Sequence, residues 1–339
     1  MHPPESNRAR RFLQRAHLVA AIGLTILCAP LAIAGNLEPT GINLGATSFF
    51  DGFGAPKPGL AYLGYYQFQH LTRIDAQNGQ ESPAFQSPQI DVFLLINQFA
   101  YTTGETYFHG RANLGFTVLI PYAGFSTRFG KTSPITLSSS DGLGDVTAGA
   151  FLQFRPIFKG HRPIFSQRFE LDFIVPTGNY SSSYDINSGS GFWSFNPAWA
   201  ATILPTSRTE LSWRLNYLYN FKNSNPRDPA HLGMTSSQAG QAAWINFAAS
   251  YRFTPKLHIG INGYYFKQLT TDSYGYRPGV LPISTPYGDA GKAEVLALGP
   301  GIFFQQDRGN YWSLNLYDQL ESKNYSRGTV LNLHWLHRF

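Results

Sequence analysis

The 339-residue chain has one cysteine, Cys28, two methionines, and only 14% charged residues. Cys28 falls inside the apolar part of the N-terminal leader, so the remainder carries no disulfide, thiol nucleophile or thiolate metal site. After residue 34 no stretch approaches the 18 consecutive apolar residues that a helical membrane span requires. Without the leader the chain keeps 22 basic and 19 acidic residues, a balance too even to mark a nucleic-acid partner. Gly-x-Ser-x-Gly, a phosphate-binding loop and His-Glu-x-x-His are all absent. Those absences leave no catalytic residue, metal ligand or cofactor to assign.

Aromatic residues make up 15% of the chain, and they recur in alternating runs. The N-terminus reads as an export signal. Arg8, Arg10, Arg11 and Arg15 precede the apolar run Leu18–Ala32, and Ala32-Ile33-Ala34 offers a cleavage site before Gly35. A spanning helix needs about 20 apolar residues, and Pro30 interrupts this run. The expected division is therefore a signal peptide at 1–34, an N-terminal segment at 35–58 and a barrel at 59–339.

Beyond residue 58 the sequence alternates at period two. In the stretch Tyr107–Pro121, one parity carries Phe108, Ala112, Leu114, Phe116, Val118 and Ile120, and the other His109, Arg111, Asn113 and Thr117. Thr209–Phe221 sets Leu211, Trp213, Leu215 and Tyr217 against Glu210, Ser212, Arg214 and Asn216. A strand with hydrocarbon on one side and water on the other alternates in this way. Twelve segments fit: 59–72, 88–102, 107–122, 143–157, 165–176, 195–205, 209–222, 240–253, 256–268, 293–305, 309–321 and 327–339. The connections alternate long and short up to the last, 322–326. Bacterial barrels have short periplasmic turns, longer external loops and an even strand number. The expected fold is thus all-β, a single antiparallel transmembrane barrel of 12 strands with both termini periplasmic, 14 strands being the alternative. Ile42–Phe50 has the length of a thirteenth strand, but an odd count disfavours it. With Pro39, Pro56 and Pro58, residues 35–58 suit a segment that enters the lumen or lies at the periplasmic mouth.

The final segment alternates to its last residue, Phe339, as outer-membrane barrels usually finish. Outer-membrane lipid and the barrel assembly machinery are the expected partners, and the outer membrane the expected location. A secreted sandwich would have shorter strands and would divide 305 residues into two domains, yet no linker separates them.

Candidate lumen residues lie on the polar parity: Arg111, Asp145, Phe151, Arg155, Arg168, Glu170, Asp172, Glu210, Arg214, Trp244 and Arg252. They fit two compatible roles, a lining that guides solutes or an ion-pair network that fills a narrow barrel. Glu170 and Asp172 share a face, but Arg168 beside them favours a salt-bridged patch over acid–base work. His334 and His337, three apart on a strand, point to opposite faces and cannot close on one ion.

Several short motifs occur together: Gly142-Leu143-Gly144-Asp145, the run Glu170–Tyr180 with its Pro176-Thr177-Gly178, Phe192-Trp193-Ser194-Phe195-Asn196-Pro197, and Leu298-Gly299-Pro300-Gly301. In this order they resemble the "meta-pathway of phenol degradation" family across nearly all of Gly41–Phe339. The resemblance implies a non-enzymatic outer-membrane barrel through which small hydrophobic or aromatic compounds enter a Gram-negative cell. Phe151 and Trp244 would touch such a solute, and the lumen arginines would favour weak acids. Two other readings remain: a lipid hydrolase, which needs a Ser/His pair on the outer wall, and a structural or adhesive barrel.

Overall fold

Alternation at period two gives each strand one face fit for hydrocarbon and one fit for water. Such a sheet leaves its edges unsatisfied in a bilayer unless it closes on itself. The computed structural model closes it. It describes residues 39, 41–55, 57–228, 231, 233–279 and 291–339. The expected signal peptide, 1–34, lies outside the described residues.

Twelve strands form the wall: β1 (Gly59–Asp75), β2 (Gln89–Tyr107), β3 (Ala112–Arg128), β4 (Val146–Phe154), β5 (Arg162–Val175), β6 (Ser194–Ile203), β7 (Thr209–Asn220), β8 (Ala242–Thr254), β9 (Leu257–Gln268), β10 (Glu294–Gln305), β11 (Asn310–Lys323) and β12 (Tyr325–Arg338). Each pairs antiparallel with its neighbour in sequence. The ring is sealed by β12 on β1, from Ala61 opposite Arg338 to Asp75 opposite Tyr325. The expected 12-strand antiparallel barrel is therefore present.

One boundary moves substantially. The third strand starts at Ala112, not at residue 107, because β2 runs on to Tyr107 through a bulge between Thr102 and Thr106. The chain reverses over Phe108, His109 and Gly110, all left-handed with φ of 54°, 56° and 77°. Two of these are bulky residues that seldom adopt such angles, so no turn signal marks the reversal.

Phe116, Val118, Ile120, Phe169, Leu171, Phe173, Leu211, Leu215, Ile261, Ile302, Leu314, Leu316 and Leu331 are exposed and encircle the outside. An apolar surface this continuous belongs against lipid rather than water. At the barrel end where β1 starts and β12 ends an aromatic chain follows the wall. Phe154, Phe169, Trp199 and Trp213 contact in series at 5.8–6.1 Å, and Tyr62, Trp335 and Trp312 continue it at 5.5 Å. This is the interfacial girdle of a membrane barrel. At the opposite end the long loops are tied together. Ser139–Ser140 pairs with Ile186–Asn187, and Met234–Gln238 with Ser273–Tyr276.

Candidate functional site

The inward face is not uniform. On β1–β3 it is mostly apolar in the loop-side half and at mid-height, through Leu63, Leu71, Ile90, Val92, Leu94, Ile96, Leu119, Ala123 and Phe125 with Tyr65, Gln67 and Gln69 among them, and turns polar at Gln98, Thr102 and Thr117 beyond. From β4 onward it carries charges and amides at mid-height, including Gln153, Arg168, Glu170, Asp172, Asn196, Glu210, Arg214, Asn216, Asn246, Asn262, Asn315 and Asn332. Nearer the loops, β8–β12 turn apolar again around Trp244, Tyr264, Phe266, Val295 and Tyr317.

Residues 41–55 lie within this ring. A coil in the middle of a barrel must satisfy its backbone groups from the wall, and inward amides and hydroxyls supply the partners. The Gly45 N–H donates to Asn246 Oδ1 at 3.0 Å, while Asn246 Nδ2 donates to the Asn43 carbonyl at 2.9 Å and to Thr47 Oγ1 at 3.1 Å. Trp244 Nε1 donates to the same Asn43 carbonyl at 2.7 Å. The Gly45 carbonyl accepts from Tyr317 OH at 2.8 Å and from Asn332 Nδ2 at 2.7 Å. Further along, Phe50 N–H donates to Glu210 Oε1 and Gly52 N–H to Thr202 Oγ1, each at 3.0 Å. The Gly52 carbonyl accepts from Gln153 Nε2 at 3.0 Å and Ser166 Oγ at 2.8 Å. Two glycines make the approach possible. At Gly45, φ is +70° and a Cβ would lie 2.6 Å from the Tyr264 ring; at Gly52 a Cβ would lie 2.4 Å from the Thr202 nitrogen.

Nearly all these bonds reach β4–β12. Ile42 and Leu44 also pack on that side, against the Tyr264–Tyr317 cluster. Towards β1–β3 the segment offers Ala46 to Tyr65, Leu94, Ile96 and Ala123, and its one polar contact there is a 3.5 Å bond from Gln67 Nε2 to the Leu44 carbonyl. The segment is thus pinned to one side of the lumen and only packed against the other.

Charge at mid-height is organised around Arg214. Its guanidinium donates to Asp51 twice, at 2.7 and 2.9 Å, and to Glu170 at 2.8 Å. Glu170 also accepts both bonds of Arg168 Nη2 at 2.7 Å. Arg168 in turn lies over the Phe151 ring at 4.3 Å. With two cations facing two carboxylates, burial is compensated by charge-assisted bonds. Glu210 is held separately, by Ser212, by Ser250 Oγ at 2.6 Å and by Phe50 N–H.

Two spaces flank the segment, and Gly41 and Ile42 line both. The larger, about 930 Å³, lies towards the C-terminus, where β1 starts and β12 ends. The smaller, about 250 Å³, lies under the loops between Leu71, Ile74, Ile90, Val92, Tyr180, Asn223 and Arg227. Residues of the apolar β1–β3 face line each of them.

Of the candidates named from sequence, Phe151, Arg155, Arg168, Glu170, Asp172, Arg214 and Arg252 line the larger space. Glu210 and Trp244 face inward and hold the N-terminal segment. Asp145 instead precedes β4 and fastens the 176–193 loop, accepting from Gly178 N–H at 2.9 Å and Ser190 N–H at 2.7 Å. Arg111 is exposed at the turn before β3 and lines neither space, because that strand starts one residue later. Asp51 and the asparagines at 43, 246, 315 and 332 were not singled out from sequence. Their signal is an Asn on the inward parity of adjacent strands, readable only once the parity is known.

A closed, lipid-belted β-barrel with two chambers on either side of an internal segment defines the class: a barrel of the outer-membrane type. The chain belongs to the family described as "Putative MetA-pathway of phenol degradation", whose profile matches residues 72–335. Among solved structures it resembles the COG4313 outer membrane channel from Pseudomonas putida F1, at 16% identity and a TM-score of 0.70, covering 86% of this chain and 98% of that one. The translocator domain of the autotransporter NalP from Neisseria meningitidis gives a TM-score of 0.46 at 11% identity, covering 85% of this chain and 91% of that one. No curated protein matches.

Proposed function

We propose that the protein is an outer-membrane channel that passes small aromatic or hydrophobic compounds along its lumen. The observation that carries this reading is the two-faced interior. The apolar stretch of the β1–β3 wall runs from the loop-side chamber to the inner part of the terminus-side chamber, where Leu63, Tyr65, Ile96 and Leu119 line it, opposite a wall that carries charges and amides. An apolar solute loses little in leaving lipid-like surroundings for such a wall, and a polar group on it finds donors across the lumen.

Residues 41–55 act as the plug of this channel. The solute passes on their β1–β3 side, where Ala46 meets the wall without hydrogen bonds. In this reading the long loops face outward, and the start of β1 and the C-terminus face the periplasm. The chain is exported by its N-terminal signal and inserted through the assembly machinery by β12. The lumen candidates Phe151, Arg155, Arg168, Glu170, Asp172, Arg214 and Arg252 line the path, and Trp244 and Glu210 hold the plug. No step asks the protein to break a bond. Swelling of proteoliposomes in isosmotic aromatic acids and fatty solutes tests the reading. Swelling above protein-free vesicles is expected, and impermeability to every such solute overturns it.

A further inference from the structure

We infer that the terminus-side chamber holds a binding site for a small aromatic carboxylate, built from Arg252, Lys256 and Arg338 around an aromatic floor of Phe50, Phe303 and Tyr311. This rests on the channel reading and names the solute class that one of its chambers retains.

The first ground is an imbalance of charge. Arg168 and Arg214 in the same chamber are matched by Glu170 and Asp51. Arg252, Lys256 and Arg338 also line it, and none of the three forms an ion pair among the described residues. Lys256 Nζ has only the Gln306 carbonyl at 2.8 Å, and Arg338 only the Gly54 carbonyl at 3.2 Å. Lys57 and Arg155, also on this chamber, extend the basic rim. The third carboxylate of the chamber, Asp172, sits on β5 opposite Asn196 and Gly149, within the Arg168 cluster. Two acids outside the chamber's lining come near the floor: Glu210 is engaged by Phe50 N–H, Ser212 and Ser250, and Asp307 by Gly309 N–H and Asn310. Three cations facing a cavity with no carboxylate of their own form an anion site.

The second ground is what lies beside them. Phe50 meets Phe303 at 4.8 Å and the His258 ring edge-on at 4.8 Å, and Phe303 meets Tyr311 at 5.8 Å. The Arg338 guanidinium lies over Tyr311 at 5.1 Å. Strand register brings the two sets together. Arg252 is opposite His258, which is opposite Phe303, and Tyr311 is opposite Gln305 and Leu336. An aromatic ring placed on Phe303 leaves its carboxylate beside the cations. The plug supplies part of the floor: Phe50 is held left-handed at φ 57°, with its N–H on Glu210. A solute at this site therefore touches the segment that occludes the lumen.

The test is calorimetric titration of the purified full-length protein in detergent with benzoate, benzamide and acetate. Benzoate is expected to bind at least tenfold more tightly than either analogue, since benzamide lacks the charge and acetate the ring. Arg252→Gln with Lys256→Gln should weaken benzoate tenfold or more and leave benzamide unchanged, and Phe303→Leu should weaken both aromatics. Equal binding of benzoate and benzamide overturns the site on the unaltered protein, whether or not a variant folds. Unchanged benzoate affinity in the folded double variant also overturns it. Swelling in phenyl glucoside, a neutral aromatic, separates this from the channel reading. Benzoate binding without swelling sustains the site and removes the channel, while swelling without benzoate preference does the reverse.

Discussion

Asp51→Ala tests how the plug is held. Asp51 is the one acidic residue of the 41–55 segment, and its carboxylate takes two bonds from Arg214 where the side chains are 11% and 6% exposed. Orphaning a buried charge costs about 3–5 kcal/mol. Arg214 keeps Glu170 at 2.8 Å, so the full penalty does not apply. The loss is then that of charge-assisted bonds, about 2–3 kcal/mol. At ~1.4 kcal/mol per tenfold, the balance between a docked and a displaced plug moves about 30- to 140-fold towards displacement. The wall pairing does not involve Asp51, so the barrel itself should fold, with the same heat-modifiable migration expected of variant and parent. Single-channel recording in planar bilayers is the assay, and open probability should rise at least tenfold. A folded variant whose open probability equals that of the parent refutes the idea that this pair holds the segment in place.

Asn246→Ala removes the residue that bonds Asn43, Gly45 and Thr47 together. We expect a loss of about 1–3 kcal/mol, read as faster proteinase K cleavage within residues 41–55 while the wall resists. Gly115→Val places a Cβ 2.1 Å from the Phe151 ring. It should displace that ring from under Arg168 and cost about 1–3 kcal/mol in thermal unfolding in detergent. Phe116→Arg puts a charge on the lipid face, where Phe116 is 50% exposed. Folding into lipid vesicles should weaken by about 2–4 kcal/mol, whereas Asn113→Arg, near the turn, should change it far less; equal effects would contradict the assigned lipid belt.

The strand number was legible because the loops alternate in length, even where single strands were ambiguous. Glu294–Gln305 alternates poorly in sequence because Gly299, Pro300 and Gly301 interrupt it, yet it pairs on both sides. Parity was legible too. Arg168, Glu170 and Asp172 do share the inward face of β5, and Glu210, Arg214 and Asn216 that of β7. The turn at 108–110 was hidden, because its left-handed angles fall on Phe and His rather than on Asn, Asp or two glycines. The partners of residues 41–55 were also out of reach. Asn43 and Asn246 are 203 positions apart, and only closure of the ring brings them to 2.9 Å. Two carboxylates on β5 looked like equals in sequence. In the structure Glu170 takes both arginines, while one oxygen of Asp172 is buried with no protein partner.

The most direct measurement is initial uptake of a labelled small aromatic compound by Gram-negative cells that carry or lack the protein, since their intact outer leaflet admits such compounds poorly without a channel. Faster uptake is predicted with the protein present, and faster still with Asp51→Ala. Equal uptake in all three strains, with the barrel folded in the outer membrane, would contradict passage through this lumen.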